Sequence, residues 1–381
     1  MQSISRFGGF VLLAVACLTI MVGCVIVPGL DAIAQALGVP TLAGWLVTVP
    51  SLGVVLCGPL AARLLGRIGL RNGLRLGLFG YGALGFGGAF LHGAWALLLD
   101  RLLLGGATAL VMAAGTGLLS SFYHGPQRLV MIARQGMAIE LGGVVFLFVG
   151  GLLAGLGWRY PFALYLFAWL LWALLEIGVP AQPRQVGSDE PGEPRLPPRQ
   201  WLVYLSAGLS MVVFFAAVIS LPRHLAGLGL DAARIGYFLA YVSLVAVFAA
   251  ALMPRAARRF GEVGTLVRAF AFYTSGHLLF ALGHGLATDL LGGLALGIGF
   301  GLSVPLVNHM TVDMSPEAVR GQRLAYLSMA IFLGQFLSSL LELLPGGAAM
   351  VFWGAAGLAL LTALGLPALQ RRCMVALAAE I

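Results

Sequence analysis

Asp31, Asp100, Arg101 and Glu140 are ionisable residues set within stretches that are otherwise apolar. A charge at such a place is costly, so each is a candidate for binding or moving something charged. Glu140 is the sharpest case. It falls about eleven residues into an apolar run, roughly 16 Å along a helix at 1.5 Å per residue. A carboxyl group taken out of water binds a proton more readily, so it can pick one up and release it again. The same group can instead face a cationic substrate, or stay protonated and serve packing. Arg101 cannot lose its charge and needs a counter-ion or water. Asp31 sits at a similar depth in a neighbouring run and can pair with it. Asp100 adjoins Arg101 but points about 100° away around a helix, so it need not share the same face. Arg101 and Glu140 differ in depth by about 14 Å on the same rise, which keeps them apart in straight helices.

Other chemistry is missing from the chain. No Gly-rich loop ends in GK[ST], so there is no ATPase signature. No Ser/His/Asp set sits in a local hydrolase signature, and no CxxC pair suggests a metal or redox centre. The chain reads as no enzyme, with no metal and no cofactor beyond a proton gradient. Phe214 and Phe215 offer adjacent aromatic rings to an apolar substrate, with simple packing as the competing reading.

The elements that hold these residues follow from composition. The chain has 381 residues, 60% hydrophobic and only 9% charged, against about 25% charged in a soluble domain. Its mean hydropathy is +0.99. One globular core cannot hide that much apolar surface, and the fitting solvent is a bilayer. The runs are continuous rather than alternating, which excludes an outer-membrane barrel. Twelve apolar segments are expected, at roughly 8–30, 42–65, 73–92, 94–123, 128–156, 160–180, 199–222, 232–256, 263–284, 287–313, 318–345 and 347–369. The expected fold is all-α, with twelve membrane helices in two six-helix bundles, 1–180 and 199–381. Between them, 181–198 is polar and proline-rich and reads as a cytoplasmic linker.

All 22 basic residues are arginines, and the net charge is +8. Such a balance can signal nucleic acid, but here the arginines lie between apolar runs. With the N-terminus inside, eighteen fall on inner loops and helix ends, while Arg159, Arg223 and Arg234 fall outside. This asymmetry places both termini in the cytoplasm and excludes nucleic acid as a partner. The halves also repeat. Met137-Ala138-Ile139-Glu140-Leu141-Gly142-Gly143 overlays Met329-Ala330-Ile331-Phe332-Leu333-Gly334-Gln335, a shift of 192. The same shift carries Arg67 to Arg259 and Gly69 to Gly261. An even number of helices per half makes the repeats parallel, about an axis along the membrane normal.

Six plus six helices, a polar middle linker and parallel halves resemble the major facilitator superfamily. Ala62-Arg63-Leu64-Leu65-Gly66-Arg67-Ile68-Gly69-Leu70-Arg71 is similar to that family's G-x-L-x-D-R-x-G-R-R loop, with a second copy at 254–263. Arg101-Leu102-Leu103-Leu104-Gly105 resembles its R-x-x-x-G pattern. Residues 25–34 and 155–162 resemble stretches of the drug:proton antiporter branch. Two stretches depart from the pattern. Gly66 replaces the loop aspartate, which implies a weaker cytoplasmic latch or one made by other groups. Phe146 and Leu147 stand where antiporters carry Gly-Pro in helix 5.

The resemblance implies a secondary transporter working as a monomer in a bacterial-type inner membrane, by alternating access. Proton coupling falls to Glu140, Arg101, Asp31 and Asp100. Glu140, Phe214, Phe215, Asn308, His309 and Gln335 are the substrate-binding candidates, the last three lying on helices that line or flank the family's cavity. Arg67, Gly69, Arg71, Arg259 and Gly261 would gate. The expected activity is proton-driven export of a small amphipathic compound or metabolite. A proton-coupled importer or facilitator is the alternative, supported by the missing Gly-Pro. A receptor or assembly subunit that moves no solute is a third reading, and the small loops offer it little surface.

Overall fold

In a bilayer a backbone must satisfy its own N–H and C=O groups, and a continuous apolar run does so as a helix. The structure, a computed structural model, describes residues 4–123, 125–180, 197–283, 285–316 and 319–379. Most of the expected linker, 181–196, therefore lies outside the described residues, as do the side chains of Arg184, Arg195 and Arg372. Among the described residues the chain is helical throughout, with no strand. Eleven stretches are long and apolar enough to cross a membrane.

The residues within Met1–Ser188 and Gly229–Ala240 form one compact unit. Helix α1 (Arg6–Cys24) is capped by the Ser5 hydroxyl, which accepts from the Gly8 amide at 3.0 Å. The turn at Val27–Gly29, around Pro28, separates it from the short α2 (Leu30–Ala36). Then come α3 (Ala43–Ile68), α4 (Leu70–Gly87), α5 (Ala94–Phe122), α6 (Gly125–Leu156) and α7 (Phe167–Gly178), the last preceded by a 3-10 segment, Tyr160–Leu166. The third expected segment maps to α4, which is not among the eleven stretches. It has 18 residues, and Arg71, Asn72 and Arg75 in its first turns lower its mean hydropathy.

The remaining residues, within Asp189–Leu228 and Tyr241–Ile381, form the second unit. Its helices are α8 (Pro198–Gly227), most of α9 (Ala232–Phe260), α10 (Glu262–Leu282), α11 (Leu286–Asp313), α12 (Arg320–Leu337) and α13 (Gly347–Ala379). A 3-10 segment, Ser338–Leu343, follows α12.

Glycines set how closely the helices approach, since lipid supplies no hydrophobic drive between them. In the first unit α3 and α5 meet at Gly53 and Gly105. A Cβ on Gly105 would lie 2.0 Å from the Pro50 carbonyl oxygen, and one on Gly53 would lie 2.2 Å from that of Leu102. In the second unit α9 and α11 meet at Gly297, where a Cβ would lie 2.6 Å from the Val242 oxygen. Gly69 (φ 84°) and Gly261 (φ 72°) hold the sharp turns into α4 and α10, a backbone region that favours glycine.

Gly105→Ala puts a methyl group against backbone that cannot yield, at a cost of about 1–3 kcal/mol. A clear drop in Tm of the purified protein in detergent is the expected result. Gly58→Ala, with nothing within 4 Å of the new Cβ, should leave Tm unchanged or raise it slightly, because alanine is the better helix former.

Candidate functional site

A buried ion pair lies in the first unit. Arg101 and Asp100, on α5, are 1% and 6% exposed. The Arg101 Nε–H donates to Asp100 Oδ2 at 3.1 Å, and Nη2 lies 2.9 Å from the same oxygen. The reach of the two side chains closes the angle between neighbouring positions on the helix. The sequence offered Asp31 as counter-ion; the ion pair described for Arg101 is with Asp100. Asp31 lies in the first turn of α2, beyond the Pro28 break.

Neighbouring elements complete the seat of Arg101. Its Nη1 donates to the Tyr165 hydroxyl at 3.5 Å, and that hydroxyl donates to the Val22 carbonyl of α1 at 3.4 Å. The guanidinium carbon lies 5.6 Å from the Phe162 ring centroid and 5.7 Å from that of Tyr165. Such contacts favour a cation that has left water. Gly88 leaves the space: a Cβ there would sit 1.9 Å from Nη2. The group thus ties α5 to α1 and to the segment before α7. Tyr165 carried no signal in the sequence, since its role depends on which helices meet.

Glu140 is half-buried on α6 and makes no hydrogen bond or ion pair among the described residues. Nothing of that kind joins it to Arg101 or Asp100. Two residues to either side of Glu140 on α6, Cys17 of α1 donates to the Ala138 carbonyl at 3.1 Å, and Gly142 lies against the same cysteine.

The Arg-rich end of this unit holds a second ionic group. Arg71 Nη2 is 3.3 Å from Glu176 Oε2, and Arg75 binds both carboxylate oxygens of Glu176. The four-residue spacing puts both arginines on one face of α4. The sequence held that signal, but the matching carboxylate on α7 emerges only from the packing. Arg67 is exposed at the last turn of α3.

In the second unit the Phe214 ring lies 4.1 Å from that of Phe300 on α11 and 5.7 Å from that of Phe215, and all three residues are buried. Gln335 is buried on α12. Asn308 Nδ2 donates to the Val304 carbonyl of its own helix at 2.9 Å, and His309 is exposed near the end of α11. Arg259 lies over the Phe260 ring beside Gly261. One polar pair that the sequence did not single out is His224 with Asp289, which have no common pattern and meet only through the fold. Among the described residues no group of three His, Cys, Asp or Glu lies close enough to hold a metal.

A sequence profile described as Major Facilitator Superfamily matches residues 11–339. No curated protein sequence matches the chain. Solved structures do. A D-xylose–proton symporter is 18% identical with a TM-score of 0.74, covering 95% of this chain and 97% of its own. A mutant of the nucleoside transporter NupG is 13% identical with a TM-score of 0.78, covering 95% and 99%. A mutant of the peptide transporter POT is 14% identical with a TM-score of 0.73, covering 96% and 94%. Identities this low carry the fold.

Asp100→Asn leaves the Arg101 guanidinium buried without a carboxylate, at a cost of about 3–5 kcal/mol. Its Tm in detergent should fall well below that of the wild type, and the apolar pair Asp100→Leu/Arg101→Met should recover much of the loss. Glu176→Gln breaks a group about one-third exposed and should cost only about 0–1 kcal/mol.

Proposed function

The chain belongs to the major facilitator superfamily, and we propose that it is a proton-coupled secondary transporter of a small solute. Transport itself follows from the family and from a fold shared with solved carriers. The proton is assigned from Glu140, a carboxyl group on a membrane helix with no hydrogen bond or ion pair among the described residues. A carboxylate without a fixed cation can change its protonation without first breaking a salt bridge. Arg101 and Asp100 neutralise each other and hold the first unit in shape around it.

Twelve crossings are assigned by counting α4 as the third. Packing in its own unit offsets its low hydropathy. The two-repeat layout is supported by contacts as well as by residues. A shift of 192 takes Gly105 to Gly297, Pro50 to Val242 and Gly53 to Val245, and the close approach of Gly105 to Pro50 and Gly53 recurs at Gly297 with Val242 and Val245. Parallel repeats support alternating access. The arginine asymmetry orients both termini to the cytoplasm of a bacterial-type inner membrane. The carrier works as a monomer on this reading, with the proton gradient as its only further requirement.

Direction has two readings. Export by antiport follows from the resemblance of 25–34 and 155–162 to drug:proton antiporters. Import by symport is favoured by Phe146 and Leu147. Both are buried, Phe146 packs edge-on to Phe167, and α6 runs unbroken through the Gly-Pro position. We place symport first.

The test uses vesicles of both orientations carrying the wild type or Glu140→Gln, with sugars, nucleosides, dipeptides and amphipathic cations added in turn. Symport predicts that one solute makes the medium of right-side-out vesicles more alkaline. Antiport predicts that one solute collapses an interior-acid gradient in everted vesicles. Either signal should drop at least tenfold in Glu140→Gln while the protein still inserts. Solute flux with no proton movement would sink the coupling, and equal proton signals in both proteins would remove Glu140 from the path.

A further inference from the structure

His224 and Asp289 bring together the ends of two helices in the second unit. His224 is in the last turn of α8, and Asp289 is in the first turn of α11. The imidazole Nε2 lies 3.2 Å from Oδ1 and 3.1 Å from Oδ2 of the carboxyl group. With its proton on Nε2, the imidazole donates to both carboxylate oxygens at those distances. The second ring nitrogen, Nδ1, is then the place where a further proton binds. Asp289 is fully buried, whereas His224 keeps 20% of its side chain exposed. The carboxylate therefore depends on this imidazole, and the imidazole has access to water.

The helix ends favour the charged pair. The C-terminal turn of α8 favours a cation and the N-terminal turn of α11 favours an anion. The surroundings add few other charges. On α13 the Phe352 ring stands edge-on to His224 at 5.5 Å, and its other neighbours are Phe280 and His277 of α10. His277 donates from Nε2 to the Val213 carbonyl and lies across Phe352 from the pair. On α8 itself the nearest charge is Arg223, and the 3-10 segment after α12 brings Glu342. Arg320 and Arg323 of α12, Glu262 and Arg268 of α10, Asp313 of α11 and Arg371 of α13 all lie toward the opposite ends of their helices.

A cavity of about 30 Å³ adjoins this place, lined by Ser220, Arg223, Glu342, Gly347, Ala348 and Val351. It is large enough for one water molecule. Ser220 is one turn before His224, and its buried hydroxyl has no hydrogen-bond partner among the described residues. The cavity thus places polar groups of α8 and of the 3-10 segment one turn from the histidine along α8.

We propose that His224 and Asp289 form a proton-binding site in the second unit, separate from Glu140, which clasps α8 to α11 when it is loaded. Protonation of His224 makes the contact an ion pair between two helix termini. Loss of that proton leaves the buried Asp289 carboxylate with a neutral partner, and the clasp loosens. On the orientation proposed above this end faces outward, so the proton comes from outside. That source rests on the proposed orientation; the clasp does not.

The test is a double-mutant cycle on the full-length protein in detergent, using His224→Gln, Asp289→Asn and the double variant. Tm is read at pH 5.5 and pH 8.0, on either side of the ordinary histidine range. An ion pair is stronger than a contact with a neutral partner, so the proposal expects the larger coupling at the lower pH. A coupling of about 3 °C or more in Tm at pH 5.5 is expected, with at least half of it lost at pH 8.0. The double variant leaves no unpaired buried charge and remains measurable where a single variant unfolds. Its Tm should therefore respond less to pH than that of the wild type. Equal coupling at both pH values would reduce the pair to a fixed structural contact, and zero coupling would remove it. No solute is involved, so failure here leaves the Glu140 assignment standing, and failure of vesicle transport leaves the clasp standing.

Discussion

Water is absent along most of this chain's length, and that constraint shapes everything else. Without it, backbone polar groups must be satisfied within each segment, so the apolar runs become helices. Without it, too, helices gain nothing by hiding apolar faces from solvent, because lipid is equally apolar. Contact then depends on how closely two backbones can approach. Gly53 and Gly105 in the first unit and Gly297 in the second mark those approaches. Each lacks a side chain at the point where the neighbouring helix presents a carbonyl oxygen.

The same constraint sorts the charges. Arg101 cannot give up its proton, so it is permanently matched: a carboxylate on the next residue, a tyrosine hydroxyl and two aromatic faces. Its seat is a fixed structure with little freedom to respond. Glu140 stands at the other extreme, with no ion pair among the described residues. His224 and Asp289 lie between, a fully buried carboxyl group beside an imidazole that keeps some exposure. On the proposed reading a carrier uses both kinds of group, matched pairs that hold a unit together and titratable groups through which a proton changes what the unit prefers.

The ends of the helices tell a related story. Gly66 stands where the family pattern has an aspartate, so the usual carboxylate of that loop is missing. In the same unit Arg71 and Arg75 meet Glu176 of α7 instead. A partly exposed cluster of this kind adds little stability, but it fixes the angle at which α4 meets α7. The glycine turns at Gly69 and Gly261 keep the following helices close to the preceding ones.

Much of the architecture was legible in the residues because membrane helices follow from local composition. Apolar length gave the helices, while arginine placement and the common shift of 192 supply the orientation and the paired halves that are proposed above. Glu140 stood out because a lone carboxyl group in an apolar run is visible without neighbours. Partners were a different matter. The ion pair described for Arg101 is with Asp100, because side-chain reach outweighs the angular separation on a helix. Tyr165, Glu176 and Asp289 find their roles only where separate helices converge, and Phe214 turns out to be packed against Phe300. The sequence by itself determined which segments leave water and which charges go with them. Only the tertiary structure decided how those charges are met, because pairing depends on a few ångströms between side chains far apart along the chain.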